Sequence, residues 1–322
     1  MNSQNIFSWN QLPLYFSKLG NLMKIAPKFI FSVLLFASAA SGSAQMLLDT
    51  MYFNRQWQQC SRDSAYYYRE VFAGTGKKIQ FVVRDYYPSG RLQMEGTFLS
   101  IHPDRKDGHF VYYYPSGKKM QEADYIENEP AGVYQEWYAN GNPKIYSVIR
   151  DGNLDGPYKT WSENGVPQLD VVYKQGNLNG RFVSFYENGM PVRDDRYRNG
   201  ELVKKQCFTR SGKDTLWFPY LLMPQFPGGE NKLSEYIDKE MIYPKEALQI
   251  QREGQVTVEF SIERDGKISK VSILKSDREY FNSEALRLVS SFPKWIPGRK
   301  DGQLVEVTLS LPIRFVLKNE QN

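Results

Sequence analysis

The glycines in the middle of the chain restrict its fold most. Gly108, Gly132, Gly156 and Gly180 lie 24 residues apart, and so do Gly117, Gly141, Gly165 and Gly189. Between them the same chemistry recurs. Phe110, Tyr134, Tyr158 and Phe182 stand two residues after the first glycine of each unit, and Tyr113, Trp137, Trp161 and Phe185 three residues further on. Asn140-Gly141, Asn164-Gly165 and Asn188-Gly189 follow, with Ser116-Gly117 as the variant. Tyr125, Ile149, Tyr173 and Tyr197 recur in the second half of each unit. A period this short holds two strands and two turns. Asn-Gly is a strong hairpin signal, and the second turn falls at Gly152, Gly176 and Gly200. A single hairpin cannot bury its own aromatic face, so neighbours stack into one ladder. The pattern predicts an all-β repeat array, an antiparallel hairpin meander over residues 64–208, with aromatics in cross-strand stripes.

At 322 residues the chain has room for two or three domains. Its net charge is only +5 and no long Lys/Arg run occurs, which argues against a nucleic-acid partner. Residues 24–44 have the layout of a secretory signal: Lys24 and Lys28, an apolar run from Phe29 to Phe36, then small residues to Ala44. Phe29–Ala44 as a helix reaches about 24 Å, short of the roughly 30 Å hydrocarbon core. Cleavage near Ala44 and a periplasmic location are therefore expected; a retained segment would instead anchor the chain to the inner membrane. Residues 1–22 stand awkwardly ahead of a signal, so translation is expected to start at Met23, and 45–63 to form a short N-terminal segment.

No nucleotide-binding, hydrolase or metal motif is present, so no cofactor, metal site or enzymatic activity is expected. His102 and His109 flank an expected turn, in a solvated loop. Cys60 and Cys207 flank the array, too far apart in an open sheet to be bridged, so two unbridged, partly buried thiols are expected.

Residues 209–230 read as a Pro/Gly junction, too apolar around Leu216-Trp217-Phe218 for a free linker. Beyond it, 231–322 form a small α+β domain. Helices are expected at Asn231–Lys239, Lys245–Ile250 and Glu279–Ser291, the last with Phe281, Ala285, Leu288, Val289 and Phe292 on one face. Val256, Val258, Phe260 and Ile262 alternate with polar residues in a strand over 254–263. Asp265-Gly266 then suggests a tight turn with φ > 0 at both positions, into a strand over 268–275. A final strand over 303–317 completes a three-stranded antiparallel sheet with helices on one face.

Residues 226–317 resemble the C-terminal domain of TonB-type energy transducers, in the form common among Bacteroidetes-like bacteria. The residues concerned are Phe226-Pro227-Gly228-Gly229-Glu230, Tyr243-Pro244, Gly254-Gln255-Val256, Asp265-Gly266, Glu284-Ala285-Leu286-Arg287, Trp295-Ile296-Pro297-Gly298 and Leu311-Pro312-Ile313-Arg314-Phe315. The array resembles MORN repeats through its G-x-[YF]-x-x-[WF] and Asn-Gly elements. The first resemblance implies a periplasmic protein-binding module that serves outer-membrane receptors, whose plug segment pairs alongside the last strand. An outer strand left unpaired must be blunted or used, and strand addition uses it. The contact surface is expected at Met241, Ile242 and Tyr243 together with Gln303, Val305, Val307, Leu309 and Leu311, and proline at Val307 is expected to block docking. The repeats would be a spacer or docking surface. The alternative is a cell-envelope scaffold whose aromatic repeat face binds protein, glycan or lipid. The chain lacks the Pro-rich linker usual in such transducers.

Overall fold

A computed structural model of the chain describes residues 45–74 and 80–317. The expected signal at 24–44 and the expected start at Met23 lie outside the described residues. The chain divides at Phe218 into two compact units.

The first unit is a 15-stranded sheet among the described residues. Its strands are β1 (Leu47–Phe53), β2 (Tyr67–Ala73), β3 (Phe81–Tyr86), β4 (Leu92–Ile101), β5 (Asp104–Tyr113), β6 (Lys119–Ile126), β7 (Glu129–Trp137) and β8 (Pro143–Arg150). They continue as β9 (Asn153–Trp161), β10 (Pro167–Lys174), β11 (Asn177–Phe185), β12 (Pro191–Arg198), β13 (Glu201–Lys204), β14 (Cys207–Phe208) and β15 (Asp214–Thr215). Sequential strands pair antiparallel from β1 to β12, and both β13 and β14 pair with β12. The sheet thus reaches beyond 64–208 at both ends. Cys60 is half-buried, Cys207 is buried, and no bridge joins them.

The two turns of each unit differ from the simplest reading of Asn-Gly. At the Asn-Gly corners only glycine has positive φ, as at Gly141 (97°). There Tyr138 C=O accepts from Gly141 N–H at 2.8 Å, and Tyr138 N–H donates to Asn142 C=O at 2.9 Å. This is the wider corner, a type I turn closed by a left-handed residue. The two-residue turns with positive φ at both positions lie on the other side, at Asp151-Gly152, Gln175-Gly176, Asn199-Gly200 and Glu127-Asn128.

Aromatic residues stand directly opposite one another at the front of the sheet, as the stripe reading implied: Tyr68 pairs with Tyr86, their rings stacked at 4.6 Å between centres, and Phe81 with Phe98. From β5 to β12 they do not pair directly. One column crosses the sheet through paired positions: Gly96, Phe110, Ala123, Tyr134, Ser147, Tyr158, Val171, Phe182 and Asp195. Large and small side chains alternate, so each ring lies over a small neighbour. The column is buried throughout: Phe110, Ala123, Ser147 and Val171 are each 0% exposed. The register shifts once per repeat next to this column, beside Gly108, Gly132, Gly156 and Gly180. All four glycines have φ between 67° and 135°. Such bulges raise the local twist and bend the sheet.

A second series ties each repeat to the next. The hydroxyls of Tyr87, Tyr114, Tyr138 and Tyr186 donate to the carbonyls of Tyr113, Trp137, Trp161 and Phe208 at 2.7–2.8 Å. Ser162 occupies the equivalent corner position between Tyr138 and Tyr186. Ser162→Tyr restores the pattern toward Phe185 C=O and is expected to stabilise the array by about 1 kcal/mol. Chemical denaturation checks this; an unchanged or lowered midpoint would show that this corner has no room for the ring.

Among the described residues the second unit has two small sheets. One joins β16 (Leu221–Leu222), β19 (Gly298–Lys300) and β20 (Gln303–Val305). The other joins β18 (Ile268–Ser276), β17 (Gly254–Ile262) and β21 (Val307–Phe315), with β17 central. The helices are α1 (Gly229–Glu240), α2 (Lys245–Gln249) and α3 (Asn282–Ser290), the last preceded by a 3-10 turn at Glu279–Phe281. The expected final strand over 303–317 is therefore two strands. The chain leaves one ladder at Val305 and joins another at Val307. The junction also contributes: Leu221–Leu222 pairs with β19, and Phe226 is 6% exposed in the core. Among the described residues no helix is long and apolar enough to cross a membrane.

Candidate functional site

The period-2 alternation of β17 buries Val256, Val258, Phe260 and Ile262 completely against Leu311, Ile313 and Phe315 of β21 and Ala285, Leu288 and Val289 of α3. The sheet covers its helix side with core and leaves the other face polar. In the β17–β18 turn only Gly266 has positive φ (85°), so the turn is the wider kind seen in the array. A Cβ at Gly266 would lie 2.1 Å from Trp295 O, which excludes any other residue there.

The two outer strands of this sheet differ. β18 shifts register twice against β17 and carries Lys270 at φ 53°. Bulges and edge lysines blunt a strand edge. β21 pairs with β17 without interruption from Gly254↔Phe315 to Ile262↔Val307. The direction of its backbone groups follows from two observations. Pro312, opposite Thr257, has no N–H and so occupies a position whose backbone faces away from β17. Gln255 N–H and C=O are both engaged at Asp277, just beyond β18, so odd-numbered residues of β17 face β18 and even-numbered ones face β21. In β21, Val307, Leu309, Leu311, Ile313 and Phe315 therefore turn their backbone to β17. Thr308, Ser310, Pro312 and Arg314 turn theirs outward.

The expected contact residues are rearranged by this geometry. Gln303 and Val305 pair with Lys300 and Gly298 in the small sheet. Leu309 (8% exposed) and Leu311 (2%) point into the core, and Val307 packs against it. The residues with outward backbone and exposed side chains are Thr308 and Ser310, within the expected stretch 303–311, and Arg314 beyond it; which backbone groups face outward is fixed only once Pro312 is placed against β17. Proline at Val307 would break the internal ladder instead of the outer edge.

Met241, Ile242 and Tyr243 follow α1 as an extended segment. The Tyr243 ring lies 6.0 Å from Phe315 and 6.1 Å from Phe281, and Ile242 is 62% exposed. Glu284, buried on α3, holds this segment: its carboxylate accepts from Ile242 N–H at 2.8 Å and from Arg287 at 2.7 and 2.8 Å. Arg287 also donates to Glu240 C=O at 2.6 Å, which closes the end of α1. The Glu284 carboxylate keeps the Arg287 guanidinium above its ordinary range. At the start of β21, Lys270 and Glu306 pair at 2.5 Å. That hydrogen bond holds the Glu306 carboxyl below the usual carboxylate range and the Lys270 ammonium above its own.

The array holds a second concentration of charge. Arg69 meets Asp85 at 2.7 and 2.9 Å and Asp104 at 3.0 Å. Lys106 Nζ lies 4.8–5.3 Å from the ring centres of Phe110, Tyr112 and Tyr125, and burial pushes its ammonium below the ordinary lysine range. His109 lies in β5, not in a loop, between Asp124 (2.8 Å) and Glu122 (3.1 Å). Among the described residues no group of His, Cys, Asp and Glu is arranged to hold a metal.

Residues 239–317 match the family model for the Gram-negative bacterial TonB protein C-terminal region, and residues 106–127 and 154–175 match the MORN repeat variant. Two NMR solution structures of the Helicobacter pylori TonB C-terminal domain are similar to this chain. One is 30% identical over 28% of this chain and 95% of its own, with a TM-score of 0.23. The other is 31% identical over 29% and 89%, with a TM-score of 0.22. No curated protein matches the chain. The C-terminal domain of this chain thus belongs with the TonB C-terminal domains of Gram-negative bacteria, and the array ahead of it carries MORN repeat variants.

Proposed function

We propose that this chain is a periplasmic TonB-like module that docks an extended segment of an outer-membrane receptor plug along the outer edge of β21, in the service of energy transduction. The supporting observation is the asymmetry of the sheet: β18 is bulged, whereas β21 runs unbroken with Thr308, Ser310 and Arg314 turned outward. Backbone bonds along that edge supply affinity, and side chains beside it supply selectivity. Arg314, exposed at the end nearest Tyr243, favours an acidic residue in the incoming strand. The repeats serve as spacer or docking surface.

Ser310→Pro tests this reading. It removes one outward N–H and leaves the β17–β21 ladder intact, because Ser310 faces away from β17. With a synthetic peptide covering the plug segment of a receptor from the same cell, affinity should fall roughly tenfold or more. The thermal midpoint should stay near that of the unaltered chain, while Val307→Pro should lower it. Unchanged affinity in a folded Ser310→Pro protein would remove β21 as the docking edge.

A scaffold reading in which the array is the working surface draws on Trp137, Trp161 and Phe185. These half-buried rings lie opposite Pro143, Pro167 and Pro191 at successive corners. It would be favoured if the Ser310→Pro protein kept its partner.

A further inference from the structure

An edge open to a partner's strand is equally open to the same edge of a second copy. Regular, exposed edge strands are templates for self-pairing. β21 has the features of such a template: nine residues in unbroken register, with exposed Thr308, Ser310 and Arg314 on the outward side. One residue on that side breaks the row of donors. Pro312 contributes a carbonyl outward but no N–H.

The missing donor weighs differently on the two kinds of pairing. When two copies pair antiparallel through β21 across residue 312, the defect occurs in both copies, and two ladder bonds are lost. When a strand from another protein docks, only one bond is lost. A self-pairing that stops short of Pro312 retains only Thr308 and Ser310 from each copy. Beyond them the chain reaches Glu306, held by Lys270, and leaves for the β19–β20 hairpin. We infer that Pro312 is a specificity-determining residue, which keeps two copies of this chain from joining through β21 while leaving the edge usable by an extended segment of another protein. The inference rests on the same open edge as the docking proposal.

Pro312 is suited to substitution, because its side chain lies on the polar face between exposed Ser310 and Arg314. Pro312→Thr supplies the missing N–H beside residues of like character. In sedimentation equilibrium of the full chain, the unaltered protein should be monomeric. Pro312→Thr should self-associate roughly ten- to a hundredfold more strongly, as expected for two added hydrogen bonds. Ser310→Pro added to that variant should reverse the effect, since it removes a neighbouring donor on the same edge. Pro312→Ala, which restores the N–H with a smaller side chain, should also self-associate and guards against a local effect of threonine. The inference fails if both folded variants sediment like the unaltered chain, if self-association survives the added Ser310→Pro, or if the unaltered chain is already a dimer. The measurement needs no partner, so its outcome is separate from that of peptide docking. Monomeric Pro312 variants that still bind the receptor peptide would overturn this inference alone. Dimerising variants of a chain that binds no such peptide would overturn only the docking proposal.

Discussion

Gly96→Val is expected to destabilise the front of the array by about 3 kcal/mol or more, the upper range for overpacking a filled core. A Cβ placed on Gly96 would lie 2.2 Å from both Cδ1 and Cε1 of Phe110. That ring has nowhere to go. It is fully buried, with Phe98 at 5.0 Å and Tyr125 at 5.1 Å between ring centres and the Lys106 ammonium at 5.3 Å. The backbone of Gly96 makes no special demand, since its φ is not in the left-handed region. The cost is therefore steric, and it should be relieved by removing the ring. Phe110→Ala alone leaves a cavity and costs about 3–5 kcal/mol. The double variant should cost clearly less than the two single changes together, which a double-mutant cycle in urea measures. A repeat array can unfold in stages, so tryptophan fluorescence and amide exchange should be followed along with the global signal. A Gly96→Val protein within about 0.5 kcal/mol of the unaltered chain would mean that Phe110 does not rest on this glycine, and the large-and-small column would lose its best-defined step.

The same column shows what the sequence could and could not reveal. The period was legible because aromatic residues and glycines repeat in type. The small partners were not, because Gly96, Ala123, Ser147 and Val171 have in common only that each is smaller than the rings beside it, and become a set only after the register is known. Asn-Gly pairs marked turns correctly but not the kind of turn, since asparagine at these corners stays outside the left-handed region. In the C-terminal domain the alternation of Val256, Val258, Phe260 and Ile262 gave the central strand, and the spacing of Phe281, Ala285, Leu288 and Val289 gave the helix. Glu284 was legible only as part of the family resemblance; its role was not, because a carboxylate on a helix flank reads as solvated, although it is 8% exposed and holds Ile242. The break at Glu306 escaped notice because apolar alternation continues across it, from Val305 to Val307 to Leu309. The outward edge of β21 required Pro312 to be placed against Thr257, a relation between strands that periodicity along one strand does not contain.

Asp195→Ala is expected to produce the other large loss, about 3–5 kcal/mol, at the far end of the array. The alternating column finishes at Asp195, opposite Phe182, where the pattern elsewhere places a small residue. Asp195 is 1% exposed and receives bonds from three directions. Arg193 Nη1 donates at 2.9 Å, the Gln206 backbone N–H at 2.9 Å, and Trp217 Nε1 at 3.1 Å. One carboxylate thus ties β12 to the residue leading into β14 and to the last residue of the unit. Stacked repeats need distinct ends, because the terminal unit lacks a neighbour to cover its core. Here a buried charge serves that purpose, and its removal strands the groups around it. Arg193 is 0% exposed, so losing the carboxylate removes a charge-assisted contact of 2.9 Å from a guanidinium in a low-dielectric site, and leaves two N–H groups short of an acceptor. Asp195→Asn should recover part of the loss, since it keeps an acceptor oxygen without the charge. Replacing both charges, Arg193→Met with Asp195→Leu, should cost less than Asp195→Ala alone, because a buried pair exchanged for apolar groups of similar volume is often near neutral. The local readout is the Trp217 indole N–H resonance in NMR, which should move in Asp195→Ala even where the rest of the array stays folded. An unmoved resonance together with an unfolding midpoint like that of the unaltered chain would mean that the array ends without this lock.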